Sequence, residues 1–351
     1  MPHFIASKPD SVILSSELAK LTVIPSGPHF DVKLSYLATS LLEERFYGVS
    51  GSAQSIDLRD IVEEFMLAAD IAFGVFSLSV GDNETIADSV TLRVLFCDKL
   101  CQGDYSDFAQ NNFLTTKPVR RVAPDMPVKF SFFATQGSSI STTLSVGYEL
   151  NGMAASKTVT LGDADAVATA DAVVSIDLTP DDYNTLMPDN AVLQYIRLLA
   201  GTRIAYLFID RALSLGQTFV FNNCFNVPEV ISLPAKTTLK TELEKSEAFF
   251  DGELIQYDRS STSSYEVESG PLSADEAEWA NKLLTSPHIL RIENNNLVPV
   301  IITSLTSEIA DDGENTATVK FTWRYPAKRT VLRLSDSTKG IFSAQFDKSF
   351  C

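Results

Sequence analysis

Thr318-Val319-Lys320-Phe321-Thr322-Trp323-Arg324-Tyr325 places an apolar or aromatic side chain at every second position and a polar one between them. A period of two marks an extended strand with one face toward a core, because successive side chains leave the backbone on opposite sides. The same alternation recurs upstream. Val90, Leu92, Val94 and Phe96 alternate with Thr91 and Arg93, and Leu144, Val146, Tyr148 and Leu150 alternate with Thr143, Ser145, Gly147 and Glu149. Ile204, Tyr206 and Phe208 alternate with Arg203 and Ala205, while Leu207 and Ile209 suggest burial on both faces. Val128–Phe133, Val173–Leu178, Leu193–Leu198 and Phe219–Phe225 read as further strands.

Turn signals separate these runs. Asp251-Gly252 lies between Ser246–Phe250 and Glu253–Tyr257, and Asp312-Gly313 between Pro299–Ile309 and Thr316–Tyr325. Both fit tight hairpins, as do Gly81-Asp82-Asn83 and Asn151-Gly152. Many short strands joined by turns indicate sandwiches or barrels. Two helices stand out. Leu58 to Leu67 carries the stripe Leu58, Ile61, Val62 and Phe65 behind a capping Asp57. Ala274 to Thr285 opens with Ser273 and Glu276, an S-x-x-E capping box, and is followed by Pro287. Asp181–Leu186 reads as a single turn.

At 351 residues the chain is long for one domain. The expected class is mainly β and multi-domain: two β-sandwich-like domains over 1–107 and 108–215, then a C-terminal β-barrel or sandwich domain over 216–351 with the helix 274–285 at its flank. Turn clusters near Gly103–Asn112 and Leu213–Gly216 set these boundaries.

A net charge of -17 argues against nucleic acid as a partner, because displacing counterions from phosphates needs a surplus of Lys and Arg. It also disfavours an anionic membrane surface. No apolar run reaches the length of a membrane helix, and Met1 to Lys20 lacks the pattern of a secretion signal. Synthesis in the cytoplasm without a signal peptide is the expectation.

Nucleophilic catalysis needs Ser or Cys beside a base. The chain has three histidines, His3, His29 and His288, none in such a setting, and no G-x-S-x-G elbow or glycine-rich phosphate loop. Glu266 and Glu268 on one strand are a carboxylate pair to weigh for glycoside chemistry, but a solvated face explains them as well. No catalytic residue is expected. Cys97, Cys101, Cys224 and Cys351 lack the paired spacing of a zinc site and read as buried free thiols. Asp82-Asn83-Glu84, Asp163-x-Asp165 and Asp311 to Asn315 are acidic loop tips that could take calcium. None has the spacing of a dedicated calcium loop, and turn chemistry accounts for them equally. No cofactor is therefore expected, with calcium at one such loop left open.

Aromatic residues are the remaining candidates. Phe249 and Phe250 precede the Asp251-Gly252 tip, and Tyr257 and Tyr265 follow it. Such a hairpin could anchor a partner or stack on a sugar ring, or its aromatics could fill the sheet core. The stretch Pro2–Pro25 reads either as a docked strand or as an arm that pairs with a neighbour's sheet edge.

A family resemblance rests mainly on the last third. Gln217 to Phe225 leads to Pro228-Glu229; Gly270-Pro271-Leu272-Ser273 with Asp275-Glu276 precedes Leu283-Leu284 and Ser286-Pro287; Pro299 to Ile302 precedes the closing strand Val319 to Tyr325. This order resembles structural proteins of bacteriophage and prophage tail modules of gut-type anaerobic bacteria, of the distal-tail or baseplate-hub type. Ser55 to Val62 resembles their N-terminal β-domain. The middle, Pro118–Leu215, has no counterpart. The resemblance implies a non-enzymatic assembly protein in a virion tail, joined by symmetric contacts to copies of itself or to other tail and baseplate proteins. The hairpin Ser246–Tyr257 and the strand pair Val298–Tyr325 are the expected contacts. The alternative is a carbohydrate- or receptor-binding adhesin that meets a host surface glycan or receptor.

Overall fold

In the computed structural model, which describes residues 4–6, 8–9, 11–82, 85–100, 105–162, 168–250, 253–293, 296–308 and 316–326, strands dominate and are organised in six sheets with few helices. The chain is mainly β, with several packed sheets in the manner of β-sandwiches.

The N-terminal part carries a five-stranded sheet in the order Ile13–Leu14, Thr85–Leu95, Phe73–Asp82, His29–Tyr36, Thr39–Tyr47. A second sheet is made of Phe4–Ile5, Leu21–Ile24 and Gln54–Ile56. Val32, Leu34, Leu78 and Leu92 of the first share one core with Ile5, Val23 and Ile56 of the second. Helix Arg59–Ala68 adds Val62 and Met66 to that core, and Asp57 Oδ1 accepts the Arg59 N–H at its start. The N-terminal stretch is docked within its own chain: Phe4–Ile5 pairs antiparallel with Val23–Ile24, and Ile13–Leu14 lies parallel to Val94–Leu95.

The middle part stacks a two-stranded sheet, Val128–Ala134 with Ala172–Leu178, on a five-stranded one ordered Met153–Leu161, Thr142–Leu150, Val192–Ala200, Arg203–Ile209, Val119–Val122. Phe130, Phe132 and Ile176 meet Leu144, Val146, Ile196 and Leu198 between the two. The hairpin between Thr142–Leu150 and Met153–Leu161 turns at Asn151-Gly152, both at positive φ (53° and 78°), as a two-residue turn that follows strand twist requires.

One strand faces the opposite way from its expected reading. In Arg203–Ile209 the buried residues are Arg203, Ala205 and Leu207, whereas Ile204 and Phe208 are exposed. Arg203 can lie inside because its guanidinium is consumed by carbonyls: Phe133 O at 2.8 Å, Ala109 O at 3.2 Å and Asn112 O at 3.3 Å. Ala109 and Asn112 lie at the C-terminal end of helix Tyr105–Asn111, where a cation is favoured. That helix also explains why the strand pattern lapses around residue 107.

The C-terminal part pairs a sheet ordered Pro228–Leu233, Gln217–Asn222, Ile289–Glu293, Asn296–Pro299 with a second ordered Ala235–Phe250, Glu253–Ser269, Thr318–Arg324, Ile301–Glu308. Helix Ala274–Thr285 begins with the expected capping box of Ser273 and Glu276 and buries Trp279, Leu283 and Leu284 in the same core as Phe219, Phe321 and Trp323. A fourth cluster, including Leu14, Leu95, Cys97, Phe133, Cys224 and Phe225, joins all three parts. Cys97 and Cys224 are both buried, while Cys101 and Cys351 lie outside the described residues.

Candidate protein interface

The longest described elements form a ribbon. The expected hairpin Ser246–Tyr257 is the outer end of a much longer one, Ala235–Phe250 paired with Glu253–Ser269 over its whole length. At 3.3–3.4 Å per residue each strand is about 55 Å long. Along Glu253–Ser269 only Tyr265 to Glu268 pair with a third strand, Thr318–Arg324. The rest is a two-stranded ribbon with no strand beside it among the described residues. From Thr238 to Lys245, and from Ser261 to Ser263, every residue is exposed.

Its sequence explains the exposure. Thr, Ser, Lys and Glu alternate where apolar residues would be needed to bury a face, yet Thr favours extended backbone. A bare two-stranded hairpin is only marginally stable in water, so the root must hold it. Tyr265 stacks on Trp323 at 4.1 Å between centroids and 8° between planes. Tyr325 meets both rings edge-on, and the Arg291 guanidinium lies 4.8 Å from the Trp323 ring centroid. The Tyr325 hydroxyl donates to Glu293; burial and that carboxylate push the phenol up to about 12.

The four aromatic candidates therefore separate. Tyr265 belongs to the root, half-buried against Trp323. Phe249 and Phe250 pair with Leu254 and Glu253 near the far end, and Tyr257 is the extra residue of a bulge opposite Ser246 and Glu247. The side chains of these three, and residues 251–252, lie outside the described residues. What the ribbon does display is Leu239 and Leu243, 57% and 55% exposed, on the face that carries Tyr265 at the root. Glu242 and Lys240 project from the opposite face. Glu266 and Glu268, the weighed carboxylate pair, engage Lys240 at 2.6 Å and Lys320 at 3.0 Å on the surface. Of the other expected contact pair, Thr318–Arg324 is an inner strand with both edges occupied, and Ile301–Glu308 has one edge with no strand beside it among the described residues.

A second apolar surface was missed by the sequence reading. On the outer face of the middle sheet, Ile204, Tyr206 and Phe208 stand beside Val119 and Tyr195. Val119, Ile204 and Phe208 are each about half exposed (50%, 51% and 48%). The Tyr206 and Phe208 rings are parallel within 11° at 6.2 Å, and Tyr195 lies 6.4 Å from Tyr206. Tyr195 lies across Gly147 on the next strand: a Cβ there would sit 2.0 Å from the ring, so only glycine admits it. The signal was present in the alternation of 203–209, but periodicity does not say which of two faces is inside.

Ile204 and Pro118 connect this face to a cavity of about 370 Å³ where the three parts meet, lined mainly by apolar groups including Phe108, Phe113, Phe225 and the two thiols Cys97 and Cys224. Among the described residues no nucleophile–base pair converges there. His29 Nε2 lies 3.1 Å from Asp82 Oδ1 at the surface, the His288 carbonyl accepts from Ser286, and His3 is outside the described residues. Among the described residues no group of three or more His, Cys, Asp or Glu side chains is placed to hold a metal. Asn83, Glu84, Asp163, Asp165 and the loop Asp311 to Asn315 lie outside those residues. No helix among them is long and apolar enough to cross a membrane.

Comparison with protein-family models gave no match, and none came from the curated proteins. Among solved structures, the plexin A4 extracellular region aligns over 94% of this chain and 40% of its own length, with 9% identity and a TM-score of 0.19. The native conformation of E. coli alpha-2-macroglobulin aligns over 88% of this chain and 24% of its own, with 10% identity and a TM-score of 0.21. The chain thus spans less than half the length of either, and overlaps this loose carry no argument about its fold or role.

Proposed function

We propose that the chain is a structural component of a phage or phage-like tail, in its distal or baseplate region, that works through repeated protein contacts. The observation that supports this reading is the ribbon 235–269. A strand pair that enters the core only at its root, where Val267 is buried and Tyr265 stacks on Trp323, and that along the rest has no strand on either side among the described residues, is suited to β-pairing with another chain. Contacts of this kind between unlike surfaces close into rings when the rotation permits. The tail assignment itself rests on the sequence resemblance.

The test is electron microscopy and light scattering of the purified full-length chain, alone and with the proteins encoded beside it. Rings, tubes or a defined complex are expected, and Leu239→Asp combined with Leu243→Asp should abolish them without lowering the melting temperature. The competing adhesin reading is favoured by one observation, the platform of half-buried Tyr195 and Tyr206 beside exposed Phe208. A strict monomer that forms no complex and binds glycans would replace the tail reading with that one.

A further inference from the structure

Arg197 stands at the centre of the exposed middle-sheet face, directly opposite Tyr206 on one side and Ser145 on the other. Its Nη2 donates to Ser145 Oγ at 3.3 Å, but its Nε–H is buried with no hydrogen-bond partner among the described residues. No described carboxylate lies within ion-pair distance of it. The nearby Arg121, in contrast, is held by both Glu276 and Asp210. An aromatic and aliphatic face around a cation that lacks a counter-charge has the composition of a contact surface, where Tyr and Arg dominate the binding energy.

The same chain carries a segment with the complementary character. Between residues 235 and 269, eight acidic against four basic residues leave the ribbon at -4. Its outermost strand, Ala235–Phe250, has no strand on its other edge among the described residues. Leu239 and Leu243 flank that edge on one side and Glu242 on the other. Glu242 is exposed and has no ion-pair partner among the described residues. A ribbon laid edge-on across the sheet can set its leucines against Ile204, Tyr206 and Phe208 while Glu242 reaches Arg197.

We infer that the outer face of the middle sheet is the docking site for the ribbon of a second copy of this chain, with Glu242 of that copy as the counter-ion of Arg197. The inference rests on the assembly reading and names its partner surface. Because the two surfaces differ and lie on different parts of the chain, the contact is head-to-tail, the type that propagates or closes into a ring.

Sedimentation velocity of the full-length chain over a range of concentrations tests this. Arg197→Glu and Glu242→Arg should each weaken self-association about tenfold or more, as reversal of a contact charge pair does, and the combined swap should restore most of it. Tyr206→Ser with Phe208→Ser, which leaves the ion pair intact, should weaken it as well; circular dichroism checks that each variant folds. Self-association that responds to Leu239→Asp/Leu243→Asp but to none of the sheet variants would overturn this inference and leave the assembly reading standing. A chain that stays monomeric at every concentration also overturns it, although complexes with other proteins would then still support assembly. Glycan binding lost in Tyr195→Ala would assign the face to a sugar and overturn it too.

Discussion

Arg120 and Glu229, 109 residues apart in sequence, form an ion pair in which each side chain is only 2% exposed. Glu229 also accepts from Thr115 Oγ1 at 2.5 Å and Asn223 Nδ2 at 3.0 Å, and Asn223 in turn donates to the Leu114 carbonyl at 2.7 Å. The guanidinium is sandwiched by rings, 4.4 Å from the Phe130 centroid and 5.2 Å from that of Trp279. Burial pulls the Arg120 pKa down, and Glu229 opposes that pull. The pair thus ties the middle sheet to the C-terminal sheet and to helix Ala274–Thr285, which places the ribbon root relative to the exposed sheet face.

Removing one partner strands the other charge in the interior. Glu229→Ala or Arg120→Ala should cost about 3–5 kcal/mol, whereas replacing both by apolar residues of similar volume should cost far less. Equilibrium denaturation of the two single variants and the double variant measures this. Equal losses in all three would show that the charge pairing is not what matters.

Trp323 is fully buried and touches the Tyr265, Tyr325 and Phe219 rings. Trp323→Ala should destabilise the C-terminal part by about 3–5 kcal/mol through the cavity it leaves. Hydrogen exchange should speed up first at Tyr265 to Glu268, where the ribbon joins the sheet. An unchanged melting curve would remove Trp323 from the core.

Glu276 gives a pH signature. Burial alone would raise its carboxyl, but hydrogen bonds from Arg121 and from Ser273 outweigh this and hold it below its ordinary value of 4.5. A carboxylate depressed in the folded state stabilises the fold above the unfolded pKa, and that contribution is lost as pH falls through the folded value. Glu276→Gln should therefore cost about 1 kcal/mol near neutral pH, with the difference from the parent shrinking in acid below about pH 4. Thermal melts at the two pH values decide it, and a constant difference would rule out a charge-based role.

Gly147→Ala places a methyl where the Tyr195 ring lies. The ring can swing away, so stability should fall by only about 1–3 kcal/mol, the usual range for overpacking. The change should appear in near-UV circular dichroism and in any binding by the sheet face. A variant with unaltered tyrosine signals would mean that the ring does not depend on the glycine.

The sequence by itself determined which segments are extended and where two helices begin. Thr318 to Tyr325, Leu144 to Leu150 and the Ser273–Glu276 box announce themselves because side-chain alternation and capping are fixed by covalent geometry within a few residues. It also marked a hairpin over Ser246–Tyr257, though not the ribbon's length, since the exposed stretch 238–245, mostly Thr, Lys and Glu, leaves no clear apolar period to read. Only the tertiary structure decided that Arg203 points inward and Ile204 outward, that Tyr265 roots the ribbon against Trp323, and that Arg120 finds Glu229. Each of those depends on contacts between groups far apart in sequence, where the cost of burying a charge or exposing a ring is settled by what other strands bring beside it.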